Sequence, residues 1–246
     1  MGLLSKLKQD TNSLEIAQEK DTLGGMTVFD SDAYPAVVKL AYHTVSPNTG
    51  ANAVSFKFQL EDGREYSTTE YITSGTAKGG KHYYTTSKGE NRFLPGFIVA
   101  DNIAQLTVGE SILDLDAEEK VVKIYDYDAK AEVPKSVPMF MDIIGKKVTL
   151  GLIKKRENRS VKTNTGAYVP TAETREINEI QKVFSEDGLT TSEVKAGVTE
   201  PTFLKRWVDK YKGQVIDRSD PNIAPAANTN AVMKAAMSNA KDIFED

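Results

Sequence analysis

The feature that most constrains the fold is a strictly alternating segment, VSFKFQL at Val54–Leu60, followed closely by Asp62-Gly63. Apolar side chains at every second position are typical of a β-strand with one buried face. Asp-Gly favours a two-residue hairpin turn. The pairs expected from such a turn are Phe58–Ser67, Phe56–Thr69 and Val54–Tyr71 on the core face, and Lys57–Thr68 and Gln59–Tyr66 on the solvent face.

Further segments carry strand and helix signals. Residues 36–45 are rich in β-branched and aromatic side chains, and residues 120–126, 147–155 and 174–184 also have strand character. Between them, apolar residues recur at helical spacing from Phe97 to Leu106. The order strand, strand, strand, helix, strand, strand is that of an OB-type fold, a five-stranded Greek-key barrel with one inserted helix, although other small barrels share it. The predicted fold class is mainly β.

The chain divides into an arm, one domain and a tail. Residues 1–25 lack a sustained hydrophobic period and reach Gly24-Gly25, which predicts an N-terminal arm before an OB domain at 26–213. The domain ends in a predicted helix between Pro201 and Gly213, whose apolar residues form one stripe that we expect to pack on the barrel.

Residues 214–246 are predicted to be a flexible tail. The segment 219–240 contains no aromatic residue and is rich in Ala, Asn and Pro. It therefore buries too little apolar surface to offset the entropy lost on ordering. The chain ends in an acidic tip with two apolar residues, Asp242, Ile243, Phe244, Glu245 and Asp246. Such a tip suits a basic, hydrophobic pocket on a partner protein.

Charge is distributed unevenly. The net charge is −4, yet residues 145–162 hold seven bases against one acid, and residues 110–119 hold five acids and no base. Because exposed charges act over about 8–10 Å at physiological salt, the local sign matters more to a polyanion than the total. The 145–162 cluster is therefore a candidate phosphate-binding surface. Its alternative is an ordinary solvated hairpin tip.

The sequence contains no cysteine, which excludes disulfides and thiolate metal sites and indicates a reducing compartment such as the cytoplasm. No apolar run approaches the roughly 20 residues of a membrane helix. The segment from Gly75 resembles a phosphate-binding P-loop up to Lys81, but His82 replaces the required Ser or Thr, and residues 83–86 read as extended. We expect no catalytic centre, no metal and no cofactor. The histidine at 43 is interpreted as an ordinary strand residue.

Several segments of the sequence interleave basic residues with aromatic ones. This pattern is typical of proteins that bind single-stranded nucleic acid, in which cations contact the phosphates and rings stack on the bases. Each of these rings could instead belong to the hydrophobic core. The glycine-rich segment could instead be a solvated surface loop without contact to nucleic acid. The predicted DNA-binding residues are Lys57, Tyr66, Lys78, Lys81, Tyr83, Tyr84, Lys88, Arg92, Phe93, Lys154, Lys155, Arg156 and Arg159.

Several motifs resemble those of single-stranded DNA-binding proteins of tailed bacteriophages. They are YITSGTAKGGKHYY at 71–84, LPGF at 94–97, and the segments 174–176 and 178–180, TRE and NEI. The resemblance implies an OB fold that coats single-stranded DNA during phage replication or recombination, without enzymatic activity. Two other functions stay open: binding of RNA or double-stranded DNA, and a phage interaction protein that ignores nucleic acid. The oligomeric state is not indicated.

Overall fold

A computed structural model of the protein describes residues 28–126, 129–163 and 168–223. The predicted arm at 1–25 and the acidic tip at 242–246 lie outside these residues. The described residues form a mainly β structure, as expected, and most of their strands belong to one large, largely antiparallel sheet. Its strands are β1 (Asp32–Val45), β2 (Asn52–Leu60), β3 (Glu65–Tyr71), β4 (Tyr83–Thr85), β5 (Asn91–Phe93), β6 (Glu118–Asp126), β7 (Ala131–Met139), β8 (Lys147–Lys162), β9 (Tyr168–Ser185) and β10 (Val215–Asp217). Its α-helices are α1 (Pro95–Thr107), α2 (Thr191–Lys195) and α3 (Phe203–Tyr211).

The hairpin of β2 and β3 forms, but its predicted register is wrong by one residue. Phe58 pairs with Tyr66 instead of Ser67. The loop has three residues, because the Leu60 N–H donates to the Arg64 carbonyl at 2.8 Å and the chain turns through Gly63 at φ 83°. This is the type I turn with a following left-handed glycine. A one-residue slip moves every side chain of β3 to the opposite face.

Five strands of the sheet lie in the order β3, β2, β1, β8 and β9. The first part of β1 pairs with β8, and its later part pairs with β2 across a bulge between Val38 and Leu40. Within the described residues, β3 has no hydrogen-bonded neighbour except β2, so the ladder does not close between β3 and β9. Helix α1 packs against both of these strands.

Two hairpins were not predicted. Strands β6 and β7 pair along their whole length, and their base joins β1 through Tyr42 and Met139. Strand β7 contains Pro134 and Pro138, which obscure its strand signal and are tolerated at a sheet edge. Strands β4 and β5 are three residues each and form a separate small hairpin. Both hairpins project from the five-strand sheet, and both contribute to the site described below.

The main core lies between the sheet and α1. The inward face of β2, the buried side of α1 and the first half of β8 supply most of it. The helix expected from the apolar residues at 97–106 is confirmed as α1. A second, smaller cluster joins Ile153, Phe184 and Trp207, so α3 packs back on the sheet as predicted.

A short strand lies beyond the predicted domain boundary at residue 213. Strand β10 runs parallel to β8, with Val215 beside Lys154. Beyond it, the Asp220 N–H donates to Asn158 Oδ1 at 2.7 Å. Three residues are too few for a hydrophobic period, so this strand gives no sequence signal. The ordered fold therefore continues into the segment that the sequence assigned to the tail.

One carboxylate, that of Glu193, caps two helices. It forms a capping box with Thr190 at the start of α2, where the Thr190 N–H donates to Oε2 at 2.9 Å. Its other oxygen accepts the N–H groups of Thr202 and Phe203, at 2.9 and 3.0 Å, where α3 begins. These backbone donors hold the pKa of Glu193 at about 2, well below its usual range.

Replacing Glu193 by Gln should lower the free energy of unfolding by about 1–2 kcal/mol at pH 7, the usual cost of a lost helix cap. Because the folded pKa of Glu193 lies below the unfolded one, its stabilisation is complete above about pH 4.5 and is lost as pH falls towards 2. Urea unfolding at pH 7 and near pH 2 should therefore show a difference between wild type and variant only at pH 7. The matched control is Glu200→Gln; an equal effect there would contradict the double cap.

Candidate nucleic-acid interface

The outer face of β1, β2 and β3 forms the floor of a surface groove. The observed register places Tyr42, Ser55 and Thr69 side by side in one row across the three strands. The neighbouring row contains Lys57 and Ser67. Since side chains alternate along a strand, all of these point away from the core. Most side chains of these two rows are polar, and they include the Tyr42 ring and Lys57.

The β6–β7 hairpin forms one wall of the groove. Lys123, Ile124 and Tyr125 of β6 line this wall, together with Glu132 of β7. The wall and floor enclose about 560 Å³. We call this volume the first section of the groove.

A second section continues from the first beyond Tyr71. Ser46, Thr69 and Tyr71 line both sections, so the two are continuous. The second section follows the glycine-rich segment from Thr73 to Thr85 and encloses about 1150 Å³. Clefts that hold small molecules measure about 300–1,000 Å³. A volume of this size beside the first section suits an elongated ligand.

Backbone hydrogen bonds fix the glycine-rich segment against the β1–β2 loop. The Ser74 N–H donates to the Lys81 carbonyl at 2.8 Å, which closes the segment into a compact turn. The Thr76 N–H donates to the Thr49 carbonyl, also at 2.8 Å. Lys78 and Lys81 therefore extend from an ordered loop that lines the second section.

The start of α1 fixes the position of Tyr71. Pro95 occupies the first turn of the helix, where its missing N–H is harmless. Gly96 follows, and a methyl group on it would lie 2.5 Å from the Tyr71 carbonyl oxygen. The LPGF motif thus allows the helix to cross the backbone of the edge strand and to hold the Tyr71 ring at the groove.

Tyrosine rings are spaced along the whole groove. Tyr71, Tyr84 and Tyr125 have exposed fractions of 51%, 48% and 52%. Tyr42 and Tyr83 are partly buried and also line it. A ring that is half exposed and supported from below offers a flat face for stacking on a base.

Lysines outnumber carboxylates in the groove. In the described part of the chain, Lys78, Lys81 and Lys123 form no ion pair, and the pair of Lys57 with Glu65 at 2.9 Å is partly exposed. The Lys81 Nζ lies 5.4 Å from the centre of the Tyr83 ring. Two carboxylates, those of Glu132 and Glu70, also line the groove.

The Glu70 carboxyl is less acidic than usual. Burial raises its pKa, while the Thr68 hydroxyl donates to it at 2.9 Å and partly offsets that effect. Among the described residues, four lysines, Lys57, Lys78, Lys81 and Lys123, line the two sections together with only two carboxylates.

Tyr66 does not reach the groove, and its predicted place on the solvent face is wrong. Its ring is buried in the core and stacks on Phe58 with centroids 6.3 Å apart. Burial also raises the pKa of its hydroxyl. The three-residue turn is the cause, since it exchanges the faces expected for Tyr66 and Tyr71.

Three further predicted residues lie on the β4–β5 hairpin but outside the lining of the two sections. Arg92 pairs with Glu90 at 2.9 Å. Phe93 stacks on His82 with centroids 5.6 Å apart, although 53% of its surface stays exposed. Lys88 is exposed near the tip of the hairpin.

Ion pairs engage several bases of the cluster at 145–162. Lys154 pairs with Asp30 at 2.5 Å, Lys155 with Glu179 at 2.8 Å, and Arg156 with Glu176 at 2.8 Å. Arg159 is exposed. With Lys147, which pairs with Glu186, four of the seven bases in this segment have carboxylate partners from other segments. DNA binding by Lys154, Lys155, Arg156 and Arg159 remains a prediction.

The P-loop-like segment lacks the required context. It forms a 3₁₀ turn at Thr76–Lys78 and leads into β4 instead of a helix, so its extended continuation was predicted correctly. In the ranges that the structure describes, no three His, Cys, Asp or Glu side chains group as a metal site would require. None of the described helices has the length and apolar character needed to cross a membrane.

Sequence reasoning missed four residues of the groove: Tyr42, Tyr71, Lys123 and Tyr125. The aromatic content of β1 and the alternation of β3 contain a signal for the two floor rings, but only with the correct register. The wall residues belong to a hairpin that was not predicted. Neither a family model nor a curated protein matches this sequence.

Proposed function

We propose that the protein binds single-stranded DNA in this groove with little sequence preference. The observation that carries the proposal is the continuity of the two sections, with rings at Tyr42, Tyr71, Tyr84 and Tyr125 along them. Single-strand binders combine cations that follow the backbone with rings that stack on any base. The groove offers both.

We also propose that the fold is of the OB type. The order β3, β2, β1, β8 and β9, with α1 between β3 and β8 in the chain, agrees with that fold. OB folds bind oligonucleotides on the face of their second and third strands and on the loop joining the first two. Here the groove floor includes β2 and β3, and Ser46 of the β1–β2 loop lines both sections.

On this proposal the protein coats single strands during phage DNA replication or recombination in the host cytoplasm and performs no chemistry. The acidic tip, residues 242–246, would recruit replication proteins. The second candidate is a general nucleic-acid binder, since RNA also offers phosphates and unstacked bases. A groove with exposed rings favours single strands over duplex DNA, whose bases are already stacked.

Reversing two groove charges tests the proposal. Lys78→Glu with Lys81→Glu should weaken binding of a labelled oligothymidine by roughly 10-fold or more at low salt, because two phosphate contacts become repulsive. The dependence of log affinity on log salt should also become shallower by about 1–2, one unit for each lost phosphate contact. Fluorescence anisotropy at two salt concentrations measures both quantities.

The matched control reverses two exposed lysines of the α2–α3 region, Lys195→Glu with Lys205→Glu, and changes the total charge equally. Equal weakening by the two double variants would show that only net charge matters, and it would contradict binding in this particular groove. Competition with unlabelled RNA and duplex DNA distinguishes the second candidate. An absence of binding to any nucleic acid would favour an interaction protein.

A further inference from the structure

The surface of α3 and β9 contains a second recess, separate from the groove. It encloses about 400 Å³ and is lined by Lys182, Phe203, Arg206, Lys210 and Tyr211, with Trp207 at its base. No carboxylate lines it. We call it the α3 recess.

The cations of the α3 recess lie against its rings. Lys182 and Arg206 both lie 5.5 Å from the centre of the Phe203 ring, and Lys210 lies 4.9 Å from that of Tyr211. Among the described residues, none of these three cations has an ion-pair partner. Phe203 remains 36% exposed. The recess therefore presents unpaired positive charge around an apolar surface, which suits a ligand with the opposite charge and an apolar centre.

The end of the chain has this chemistry. Asp242, Glu245 and Asp246 surround Ile243 and Phe244, so three acids match three cations and two apolar side chains match the exposed ring. We propose that residues 242–246 dock in the α3 recess of their own chain. This proposal does not depend on DNA binding.

The length of the chain permits this docking. The last described residue is Ile223, so 18 residues separate it from Asp242 and can span up to about 60 Å. Asp220 is bonded to Asn158 on β8, and the Trp207 ring lies near Gly151 on the same strand. Seven strand residues measure about 23 Å. The recess is thus well within reach of the end of the same chain.

Photocrosslinking of the full chain tests the proposal. With a benzophenone amino acid in place of Phe244, irradiation without DNA should attach the tip to peptides containing Phe203–Tyr211 in a monomeric product. Lys182→Glu with Arg206→Glu should abolish that adduct, and 0.5–1 M salt should reduce it, because the Debye length falls to about 3 Å at 1 M. The control, Lys146→Glu with Lys195→Glu, should leave it unchanged.

Other outcomes contradict the docking. Adducts on the glycine-rich segment at 73–85 would place the tip in the DNA groove instead. Adducts found only between copies, and lost on dilution, would exclude docking within one chain. The thermal midpoint of each variant establishes that it is folded. Failure of DNA binding would leave the adduct unaffected, so the two proposals are tested separately.

Discussion

Alanine at Tyr71, Tyr84 and Tyr125 together should weaken binding of single-stranded DNA by at least about 100-fold. Loss of one stacked base costs about 1–3 kcal/mol, and each 1.4 kcal/mol is a factor of ten in affinity. The three rings are about half exposed and lie in both sections of the groove. The thermal midpoint should change little, because exposed side chains contribute little to the core. Anisotropy titrations with oligothymidine measure the loss.

The control keeps the rings and removes only the hydroxyl groups. Phenylalanine at the same three positions should bind within a few-fold of wild type, since stacking needs the flat face alone. If the phenylalanine variant loses as much affinity as the alanine variant, the hydroxyls are the contacts. If neither variant loses affinity, the strand does not follow the groove.

Alanine at Trp207 should lower the free energy of unfolding by about 3–5 kcal/mol, the usual cost of deleting a large buried aromatic side chain. Trp207 is 2% exposed and packs edge-on against Phe184, with centroids 6.1 Å apart. Its indole N–H also donates to Gln181 Oε1. Urea unfolding should show an earlier midpoint than the wild type.

Phenylalanine at position 207 serves as the control, because it keeps an aromatic ring in the cluster and should recover part of the lost stability. A loss below about 1 kcal/mol for the alanine variant, the range of most surface substitutions, would mean that α3 is only loosely attached. The C-terminal helix would then belong to the tail and not to the fold.

Elements with a strong local signal could be predicted from the sequence. Strand β2 alternates without interruption, and α1 has both the helical period and a proline at its first turn. The stripe of α3 is equally clear. What could not be predicted is the pairing between elements. Asp62-Gly63 suits both a two-residue and a three-residue turn, and the choice between them exchanges the faces of Tyr66 and Tyr71.

The ion pairs of the basic cluster also could not be predicted from the sequence, because their partners are far apart along the chain. Residues 145–162 look strongly basic in isolation. Their partners, Asp30 and two glutamates of β9, lie 20 or more residues away along the chain. Local charge counting cannot include partners that only tertiary structure brings near. Lys78 and Lys81 differ from this cluster, because they extend from a turn-rich loop with few acids.

The most direct test of the central claim is to map where a single strand contacts the wild-type protein. Strands carrying a photoreactive uracil would be bound at low salt and irradiated, and the attached peptides identified by mass spectrometry. The groove predicts adducts on Tyr71, Tyr84 or Tyr125, and their loss in the presence of excess unlabelled single strand. Adducts confined to the β8 cluster at 154–159, or no adducts under conditions of saturating strand, would contradict it.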